Sequence, residues 1–260
     1  MKALIKEIII ESPVGPVARN VRQNLRKLFD KGEIYDRQTI KVMKRALQPD
    51  SNCVDVGCHS GSILSHILDL CPNGKHYAFE PIPTLYASLV KQFPETVIYD
   101  IALSDSTGEA TFNYVTSNSA YSGLEKRSYP TCSEQIDEIT VKTELLDNII
   151  PTNLKVDLIK IDVEGAEFKV LQGAVETINR SRPIVVFEFG MGAADHYGTK
   201  PDDIYTLLHD RCQLEISLME YWLVGKKPLT REEFNTQFHK VLNFYFIAYP
   251  SAKRSASKVS

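Results

Sequence analysis

Short apolar runs alternate with amphipathic helical patterns from residue 52 onward, and this alternation limits the folds that the chain can adopt. The strand patterns at 52–57 and 76–81 are each followed by a helical pattern, at 62–70 and 84–93. A third strand pattern follows at 95–105. Strands that alternate with helices predict a parallel sheet with right-handed crossovers and helices on both faces.

The same alternation returns in the second half of the chain. Helices are predicted at 166–179 and 201–210. The further strands predicted here are 155–165, 182–190, 213–219 and 243–250. With the first three strands, they make seven core strands in one α/β sheet.

The middle of the chain, residues 106–150, interrupts this alternation. The segments 109–115 and 138–146 alternate between apolar and polar residues, which predicts the two arms of an antiparallel extension. Between them lies the polar stretch 116–137, which is longer than most structural loops. We therefore expect an insertion that carries a lid-like loop, and we refer to residues 116–137 as the lid loop.

We expect a single domain over residues 1–250, because one sheet accounts for all seven core strands. The domain opens on a helical lead-in at 1–50, with helices at 18–29 and 36–47, and a flexible tail follows at 251–260. The first of these helices has a basic face. That face could contact a phosphate-bearing substrate or an acidic membrane surface, or it could simply be solvated.

Composition excludes several classes of protein. The hydrophobic and charged fractions, 43% and 24%, match an ordinary soluble globular protein, and a net charge of −3 gives no global attraction to nucleic acid. The five cysteines are odd in number and form no zinc-type pattern, which suits unpaired thiols in a reducing compartment. No signal peptide and no apolar run of about 18 residues is found. We therefore expect a cytoplasmic protein.

The sharpest local motif is VDVGCHSG, at residues 54–61, where a strand runs into Gly57 and Gly61 opens the next helix. Such turns present backbone N–H groups and a positive helix end to a nucleotide or carboxylate. The dinucleotide fingerprint needs a glycine where Cys58 or His59 stands, which weakens the interpretation as a nicotinamide-dependent oxidoreductase. A purely structural turn is the alternative.

Glu80 supports a nucleotide site, because it closes the second strand, 25 residues after Asp55. An acid near this position binds the ribose hydroxyls in nucleotide-binding α/β folds. Its alternative role is a surface acid before the turn at Pro81. The residues expected to flank the base are Ile82, Ala102 and Leu103.

A third motif, LIKIDVEGAE, places acidic residues at the end of the fourth strand. Asp162 closes this strand, Glu164 follows it, and Glu188 closes the next strand. Three carboxylates at one sheet edge could orient a substrate hydroxyl, accept its proton or hold a divalent cation. Lys160 lies inside the same apolar strand, so it needs a carboxylate or carbonyl partner if it is buried.

Two histidines are further candidates for a general base. His59 lies in the glycine turn, and His196 lies in the loop after the fifth strand, at the expected mouth of the cleft. For Cys58, no pair of a base and a residue that orients the base is evident, so we interpret it as a small turn residue rather than a nucleophile.

At this point the sequence resembles the FkbM family of S-adenosylmethionine-dependent methyltransferases. The resemblance rests on VDVGCHSG, YAFEP, ALSDSTGEATF, LLDNII, IKIDVEGAEFKVLQGA and PIVVFEF, which occur in the order of the family and cover roughly residues 50–190. The IDVEGAE stretch is the most specific motif. The family commonly has a small residue and Asn where Cys58 and His59 stand, so the role of residue 59 is open.

The resemblance implies a fold and a cofactor. The fold is a seven-stranded, mostly parallel Rossmann-like methyltransferase sheet with helices on both faces and an antiparallel last strand. The cofactor is S-adenosylmethionine, with its ribose on Glu80. The cofactor-binding residues that it implies are Asp55, Gly57, Cys58, His59, Gly61, Glu80, Pro81, Ile82, Ala102, Leu103 and Asp162.

The resemblance also implies methyl transfer to a hydroxyl. The polar and aromatic residues of the lid loop suit a sugar, a glycan or another polyhydroxylated natural product as the acceptor. An alcohol loses its proton only to a base, and the candidates are Asp162, His59 and His196. A divalent metal in the carboxylate cluster is an alternative that we do not favour. The predicted substrate-binding residues are Glu164, Glu188, Tyr121, Ser122 and Arg127.

Other functions remain open at this stage. The chain could be a catalytically silent module that binds S-adenosylmethionine, or, less favoured, a nicotinamide-dependent oxidoreductase. We expect a small-molecule or glycan acceptor, no nucleic acid partner and no transmembrane segment, and a homodimer stays open. The sequence does not identify the acceptor.

Overall fold

The computed structural model describes residues 32–127 and 134–251. The chain divides into two units, Met1–Gln38 and Thr39–Ser260. The second unit contains all the strands of the described residues, so it is the unit that positions the site.

The described residues begin with helical structure. Residues 32–38 are helical in the first unit, and residues 39–46 are helical in the second, which confirms the helix predicted at 36–47. The helix predicted at 18–29 and the tail at 252–260 lie outside the described residues.

The strands in the described part of the chain follow the predicted order. They are β1 Cys53–Val56, β2 His76–Phe79, β3 Val97–Tyr99, β4 Ile101–Leu103, β5 Gly108–Val115, β6 Ile136–Glu144, β7 Leu158–Ile161, β8 Ile184–Glu188, β9 Leu214–Ser217 and β10 Tyr245–Pro250. The α-helices that follow residue 60 are α1 Ser62–Leu70, α2 Pro83–Gln92, α3 Leu146–Ile149, α4 Glu167–Gln172, α5 Val175–Ser181, α6 Pro201–Tyr205, α7 Met219–Leu223 and α8 Arg231–His239.

Seven strands form the central sheet, in the order β3-β2-β1-β7-β8-β10-β9. The first five are parallel to their neighbours, whereas β10 is antiparallel to both β8 and β9. The inner strands β1 and β7 are buried along their whole length, because helices cover both faces of a parallel sheet. The predicted seven-stranded, mostly parallel sheet with an antiparallel last strand is therefore confirmed.

A smaller, three-stranded sheet, in the order β4-β6-β5, holds the insertion. Strands β5 and β6 pair in antiparallel register from Gly108 to Val115, which confirms the two predicted arms. The single strand predicted at 95–105 is wrong, because β3 pairs with β2 while β4 pairs with β6 in the other sheet. The apolar pattern continues across Asp100, so the sequence does not reveal this change of partner.

The helices differ from the prediction in two ways. The helix predicted at 166–179 is broken into α4 and α5 around Gly173, where a Cβ would lie 2.1 Å from the carbonyl oxygen of Ser104. The prediction also missed α3, α7 and α8, although Thr230 and Glu233 form a capping box at the start of α8. The helix predicted at 201–210 is confirmed, with α6 continuing as a π-helix over Thr206–Arg211.

An aromatic core fixes the start of β10 beside β8. Phe234 and Phe238, on α8, are buried, and Phe238 stacks on Phe189 with ring centroids 4.8 Å apart. Phe234 packs edge-on against Phe246 of β10, also at 4.8 Å. Large buried aromatic residues dominate the packing energy of a core, so α8 holds β10 in register.

Two expectations from composition can be compared with the described residues. Cys53, Cys58, Cys71 and Cys212 are buried free thiols, as predicted, and Cys132 lies outside the described residues. Within residues 32–127 and 134–251, every helix is too short or too polar to cross a membrane.

Candidate active site

The polar residues singled out in the sequence meet at one edge of the central sheet. Strands β1, β2, β7 and β8 are parallel, so their carboxyl ends lie along the same edge, which we call the carboxyl edge. The antiparallel strand β10 begins at this edge with Tyr245. In open α/β sheets, ligands bind in the crevice outside this edge.

The glycine turn after β1 is shaped by a close approach to the end of β7. Gly57 has φ 72°, and a Cβ at this position would lie 1.9 Å from the carbonyl oxygen of Asp162. The N–H groups of Gly57 and Cys58 donate to the carbonyl oxygen of Phe79, at 3.0 and 3.2 Å. Only glycine fits here, and it ties the ends of β1, β2 and β7 together.

The rest of the turn leads into α1. Gly61 precedes Ser62, the first residue of this helix, and its N–H donates to the carbonyl oxygen of Cys58 at 2.8 Å. Cys58 is buried in a small apolar cluster with Leu64 and Leu89. Burial raises the pKa of its thiol, so Cys58 is a protonated packing residue in this structure.

Glu80 follows β2 and is buried, with 3% of its surface exposed. Its Oε2 accepts the N–H of His59 at 2.8 Å, and its Oε1 accepts the N–H of Ile82 at 3.0 Å. Burial raises the pKa of Glu80 to about 7, although both backbone donors and Lys160 lower it. Each carboxylate oxygen has room for a second hydrogen bond.

Lys160 occupies the centre of the carboxyl edge, between β1 and β7. Its Nζ donates to the carbonyl oxygen of Gly57 at 3.0 Å and lies 3.5 Å from both Asp55 Oδ1 and Asp162 Oδ2. Burial alone would lower the pKa of Lys160, but the two carboxylates raise it, so the ammonium group is charged. The expected carboxylate and carbonyl partners of Lys160 are therefore confirmed.

Asp162 has three polar partners at the end of β7. Besides Lys160, the hydroxyl of Tyr245 donates to its Oδ2 at 2.5 Å, and a carboxylate oxygen of Glu188 lies within 4.8 Å of one of its own. Burial alone would raise its pKa, but these three partners together lower it. Burial and the neighbouring carboxylates raise the pKa of Glu188 well above its ordinary value. The surroundings therefore favour the charged form of Asp162 and the neutral form of Glu188.

Glu164 connects this edge to the lid loop. It has φ 58°, an uncommon backbone conformation for a residue other than glycine, and it forms an ion pair with Arg127. The Arg127 guanidinium also lies 5.1 Å from the centre of the Tyr121 ring. Burial raises the pKa of Glu164 to about 8, although Arg127 opposes this rise.

Two further contacts fasten the lid loop. His59 Nε2 lies 2.9 Å from Ser119 Oγ, which joins the glycine turn to the lid loop. The N–H of Glu125 donates to the hydroxyl of Tyr197 at 2.9 Å. Ser122 is buried, and its Oγ accepts the N–H of Val115 at 3.0 Å, so this hydroxyl holds β5 in place.

Glu167 holds the turn between β7 and α4. Its Oε1 accepts the N–H groups of Val163 and Gly165, at 3.1 and 3.0 Å, and only 1% of the residue is exposed. Burial raises its pKa to about 7, although these donors oppose the rise. Glu167 thus fixes the strained backbone that presents Glu164.

The residues that we expected to flank the nucleobase of a cofactor lie in apolar surroundings. Ile82 and Ala102 are buried in a cluster with Phe112 and Val141, next to the start of α2. Leu103 belongs to the main core. Pro81 is half-buried and directly follows Glu80.

Two other predictions concern His196 and a metal. His196 is exposed on a short helical turn after β8, Ala194–Tyr197. Asp162, Glu164 and Glu188 each offer a carboxylate oxygen, and these atoms lie within 4.8 Å of one another.

Sequence analysis missed three residues of this site. They are Tyr245, Glu167 and Tyr197. The position of Glu167 after an E-G-A turn could have identified it as a cap. No local pattern marks Tyr245 or Tyr197, because each contacts residues more than 70 positions away in the chain.

The strand order and the glycine turn after β1 define an α/β fold of the Rossmann-like class. Residues 55–213 match the model of the Methyltransferase FkbM domain, which spans more than half of the chain. The chain belongs to this family, as its motifs predicted.

Relatives with assigned names are distant. The chain is 27% identical to the 2-O-methyltransferase NoeI of Sinorhizobium fredii, over 63% of this chain and 72% of that protein. It is 26% identical to the hexuronic acid methyltransferase AglP of Haloferax volcanii, over 86% and 90%. A solved structure of a methyltransferase FkbM from Methylobacillus flagellatus aligns with a TM-score of 0.49 at 14% identity, covering 78% of this chain and 44% of that one.

Some relatives are much longer than this chain. The AMB antimetabolite synthetase AmbE of Pseudomonas aeruginosa is 28% identical over 54% of this chain, but the match spans 8% of that protein.

Proposed function

We propose that this protein is an S-adenosylmethionine-dependent O-methyltransferase that acts on a hydroxyl of a sugar or another polyhydroxylated natural product. The observation that carries this proposal is the close approach of Gly57 to the backbone of Asp162, which places the glycine turn directly beside the candidate base. Membership of the FkbM methyltransferase family supports the reaction type.

The residues at the carboxyl edge fit S-adenosylmethionine. Glu80 uses one lone pair of each oxygen for a backbone N–H, so both oxygens can accept a further bond from a ribose hydroxyl. The glycine turn from Gly57 to Gly61 would lie along the methionine part. Ile82 and Ala102 offer an apolar border for the adenine.

The chemistry follows from the charge on Asp162. S-adenosylmethionine supplies a methyl group on a sulfonium, whose carbon–sulfur bonding pair stays on the sulfur when the methyl leaves. As the new oxygen–carbon bond forms, the acceptor hydroxyl loses its proton, and Asp162 accepts it. Lys160 and Tyr245 keep this carboxylate in its ionised form, in which it can accept a proton, and they orient it.

The acceptor would lie under the lid loop. Tyr121 and Arg127 supply an aromatic face and a cationic group beside Glu164, a combination that suits a polar ring compound. The names of NoeI, a 2-O-methyltransferase, and AglP, a hexuronic acid methyltransferase, support hydroxyl and sugar chemistry in this family.

A methyl-transfer assay tests the proposal. The protein is incubated with S-adenosylmethionine and a panel of methyl glycosides, neutral and uronic, and S-adenosylhomocysteine is quantified by mass spectrometry. We expect turnover with at least one sugar, and Asp162→Asn should lower kcat by about 100-fold or more. Asp157→Asn, at the opposite edge of the sheet, is the matched control and should keep the wild-type rate.

The assay also separates the alternatives. Binding of S-adenosylmethionine without turnover on the whole panel would favour a silent binding module. Full activity of Asp162→Asn would remove Asp162 as the base while leaving the transferase intact.

A further inference from the structure

His59 contacts both the candidate cofactor site and the lid loop. Its backbone N–H donates to Glu80 Oε2 at 2.8 Å, and its ring Nε2 lies 2.9 Å from Ser119 Oγ. The first contact is made by the backbone and the second by the side chain. A single residue therefore joins the acid that we propose for the ribose to the described part of the lid loop, 60 residues further along the chain.

The backbone around His59 fixes the direction of its ring. Its φ of 48° lies in the left-handed region, which is uncommon for a residue other than glycine. The preceding residue, Cys58, is buried in an apolar cluster, and its carbonyl oxygen accepts the N–H of Gly61 at 2.8 Å. Strained backbone that the surrounding structure holds in place clusters at functional sites. His59 thus presents its ring to Ser119 from a turn that has little freedom to move.

Ser119 begins a short helical turn that carries Tyr121. The N–H of Tyr121 donates to the carbonyl oxygen of Asn118 at 3.0 Å, and the N–H of Ser122 donates to that of Ser119 at 3.2 Å. The Tyr121 ring lies 5.1 Å from the guanidinium of Arg127. A shift of Ser119 would therefore move the aromatic face that we propose for the acceptor.

We infer that His59 is a positioning residue that links the two halves of the site: cofactor binding at Glu80 holds His59, and His59 holds the turn that presents Tyr121 to the acceptor. This inference rests on the proposed function, since it assigns how the acceptor side becomes ordered once the cofactor is bound. It also gives His59 a role other than general base, because its Nε2 faces the lid loop.

The physical basis of the link is a coupling between two binding events. Ribose hydroxyls on Glu80 would use the lone pairs that its two backbone hydrogen bonds leave open, so the carboxylate would be held from both sides. His59, which is bonded to this carboxylate, would then lose freedom to move, and less ordering would be left for the acceptor to bring about. Such coupling is reciprocal, so the acceptor should tighten cofactor binding by the same factor.

Hydrogen exchange followed by mass spectrometry tests this link without any acceptor. The exchange of peptides that cover residues 116–127 is measured with and without saturating S-adenosylhomocysteine, which keeps the ribose. We expect the ligand to slow this exchange by about fivefold in the wild type, the factor that one hydrogen bond of ordinary strength contributes to an equilibrium constant. In His59→Asn and Ser119→Ala the slowing should be lost, although calorimetry still shows the ligand bound.

The two variants remove the contact from opposite sides. Asparagine tolerates the left-handed backbone at residue 59, but its side chain is shorter than that of histidine and does not span the distance to Ser119. Ser119→Ala removes the hydroxyl and leaves the glycine turn intact. Ser117→Ala is the matched control and should keep the wild-type slowing, because the Ser117 hydroxyl contacts Glu134 instead of the glycine turn. Far-ultraviolet circular dichroism checks that each variant is folded.

Steady-state kinetics with an acceptor from the methyl glycoside panel give a second readout. Loss of positioning should raise the KM of the acceptor by about fivefold in Ser119→Ala and leave kcat within about twofold, because the base and the methyl donor are untouched. A fall in kcat by about 100-fold in His59→Asn, with an unchanged KM, would instead make His59 a general base and overturn the inference.

Failure of this inference differs from failure of the proposed function. Unchanged exchange of residues 116–127 in the wild type with the ligand bound, or full slowing in Ser119→Ala, would overturn the link and leave the transferase assignment standing. Absence of S-adenosylhomocysteine binding to the wild type would overturn the proposed function, and the link would fail with it.

Discussion

The two edges of the central sheet use the same residue types in opposite ways. At the amino-terminal edge, where β1 and β7 begin, Lys155 pairs with Asp157 at 2.5 Å, and 73% of the lysine side chain is exposed. At the carboxyl edge, Lys160 lies 3.5 Å from both Asp55 and Asp162, and 7% of its side chain is exposed. The lysine at the amino edge is largely solvated, whereas the lysine at the carboxyl edge is buried between its two carboxylates.

This difference indicates which edge of the sheet has the features of a functional site. At the amino edge, Asp157 and Asn52 satisfy backbone groups of neighbouring segments, which is ordinary capping. At the carboxyl edge, Glu80 and Glu167 have raised pKa values because they are buried, and Glu164 has a strained backbone. Shifted pKa values and strain cluster at functional sites.

Replacing each of the two lysines in turn should give the largest difference in stability between the two edges. Lys160→Met leaves the buried Asp55 and the half-buried Asp162 without their cation, and loss of one partner of a buried ion pair costs about 3–5 kcal/mol of unfolding free energy. Lys155→Met, at the exposed pair, should cost about 1 kcal/mol or less. Urea denaturation of both variants measures the difference. Equal losses of unfolding free energy in the two variants would show that the two ion pairs contribute equally to stability.

The glycine turn gives the next largest effect. Gly57→Ala should lower the unfolding free energy by about 3 kcal/mol or more, because it adds a clash with Asp162 to the cost of a left-handed backbone. Gly225 has the same φ of 72°, and no atom of the described residues lies within 4 Å of a Cβ placed there. Gly225→Ala therefore isolates the backbone cost of about 1 kcal/mol. Thermal or urea unfolding compares them, and similar losses in both would mean that the turn is not packed against β7.

The pH dependence of stability should differ between the edges by a smaller amount. Burial raises the pKa of Glu167 to about 7, so the native state holds this proton more tightly than the unfolded chain. The resulting stability is present below about pH 4.5 and is lost as the pH rises through 7. Glu167→Gln should therefore flatten the decline in unfolding free energy over this window by about 2 kcal/mol.

The control for this prediction lies near the amino end of β3. Glu95 is exposed, so Glu95→Gln should keep the wild-type dependence on pH. If the unfolding free energy fell equally steeply between pH 4.5 and 7 in the wild type and in Glu167→Gln, the raised pKa of Glu167 would be contradicted.

Local patterns predicted the sheet because each strand and helix carries its own signal. The apolar runs around Val54 and Ile159, and the glycine turn at Gly57, identify strands and a turn without knowledge of their neighbours. The break in the strand at Asp100 and the break in the helix at Gly173 were not predictable in this way. Both depend on contacts with segments that are distant in the chain.

Part of the candidate site could also be predicted from local sequence patterns. Glu80 and Asp162 follow strands and Glu188 closes one, so the topology of a parallel sheet brings them to one edge. Tyr245 escaped prediction because it enters from an antiparallel strand 83 residues after Asp162. The pKa shifts could not be predicted either, because each one depends on which charged and hydrogen-bonding groups surround the buried side chain.

The most direct test of the central claim, that the carboxyl edge holds a nucleoside cofactor, is calorimetric titration of S-adenosylmethionine into the wild type, Glu80→Ala and Glu95→Ala, with NAD as a second titrant. We predict saturable binding to the wild type and to Glu95→Ala, and silence with NAD. Binding to Glu80→Ala should be weaker by about 1.5–3 kcal/mol, which is roughly 10- to 150-fold. No binding of S-adenosylmethionine to the wild type, or equal affinity in Glu80→Ala, would contradict this account.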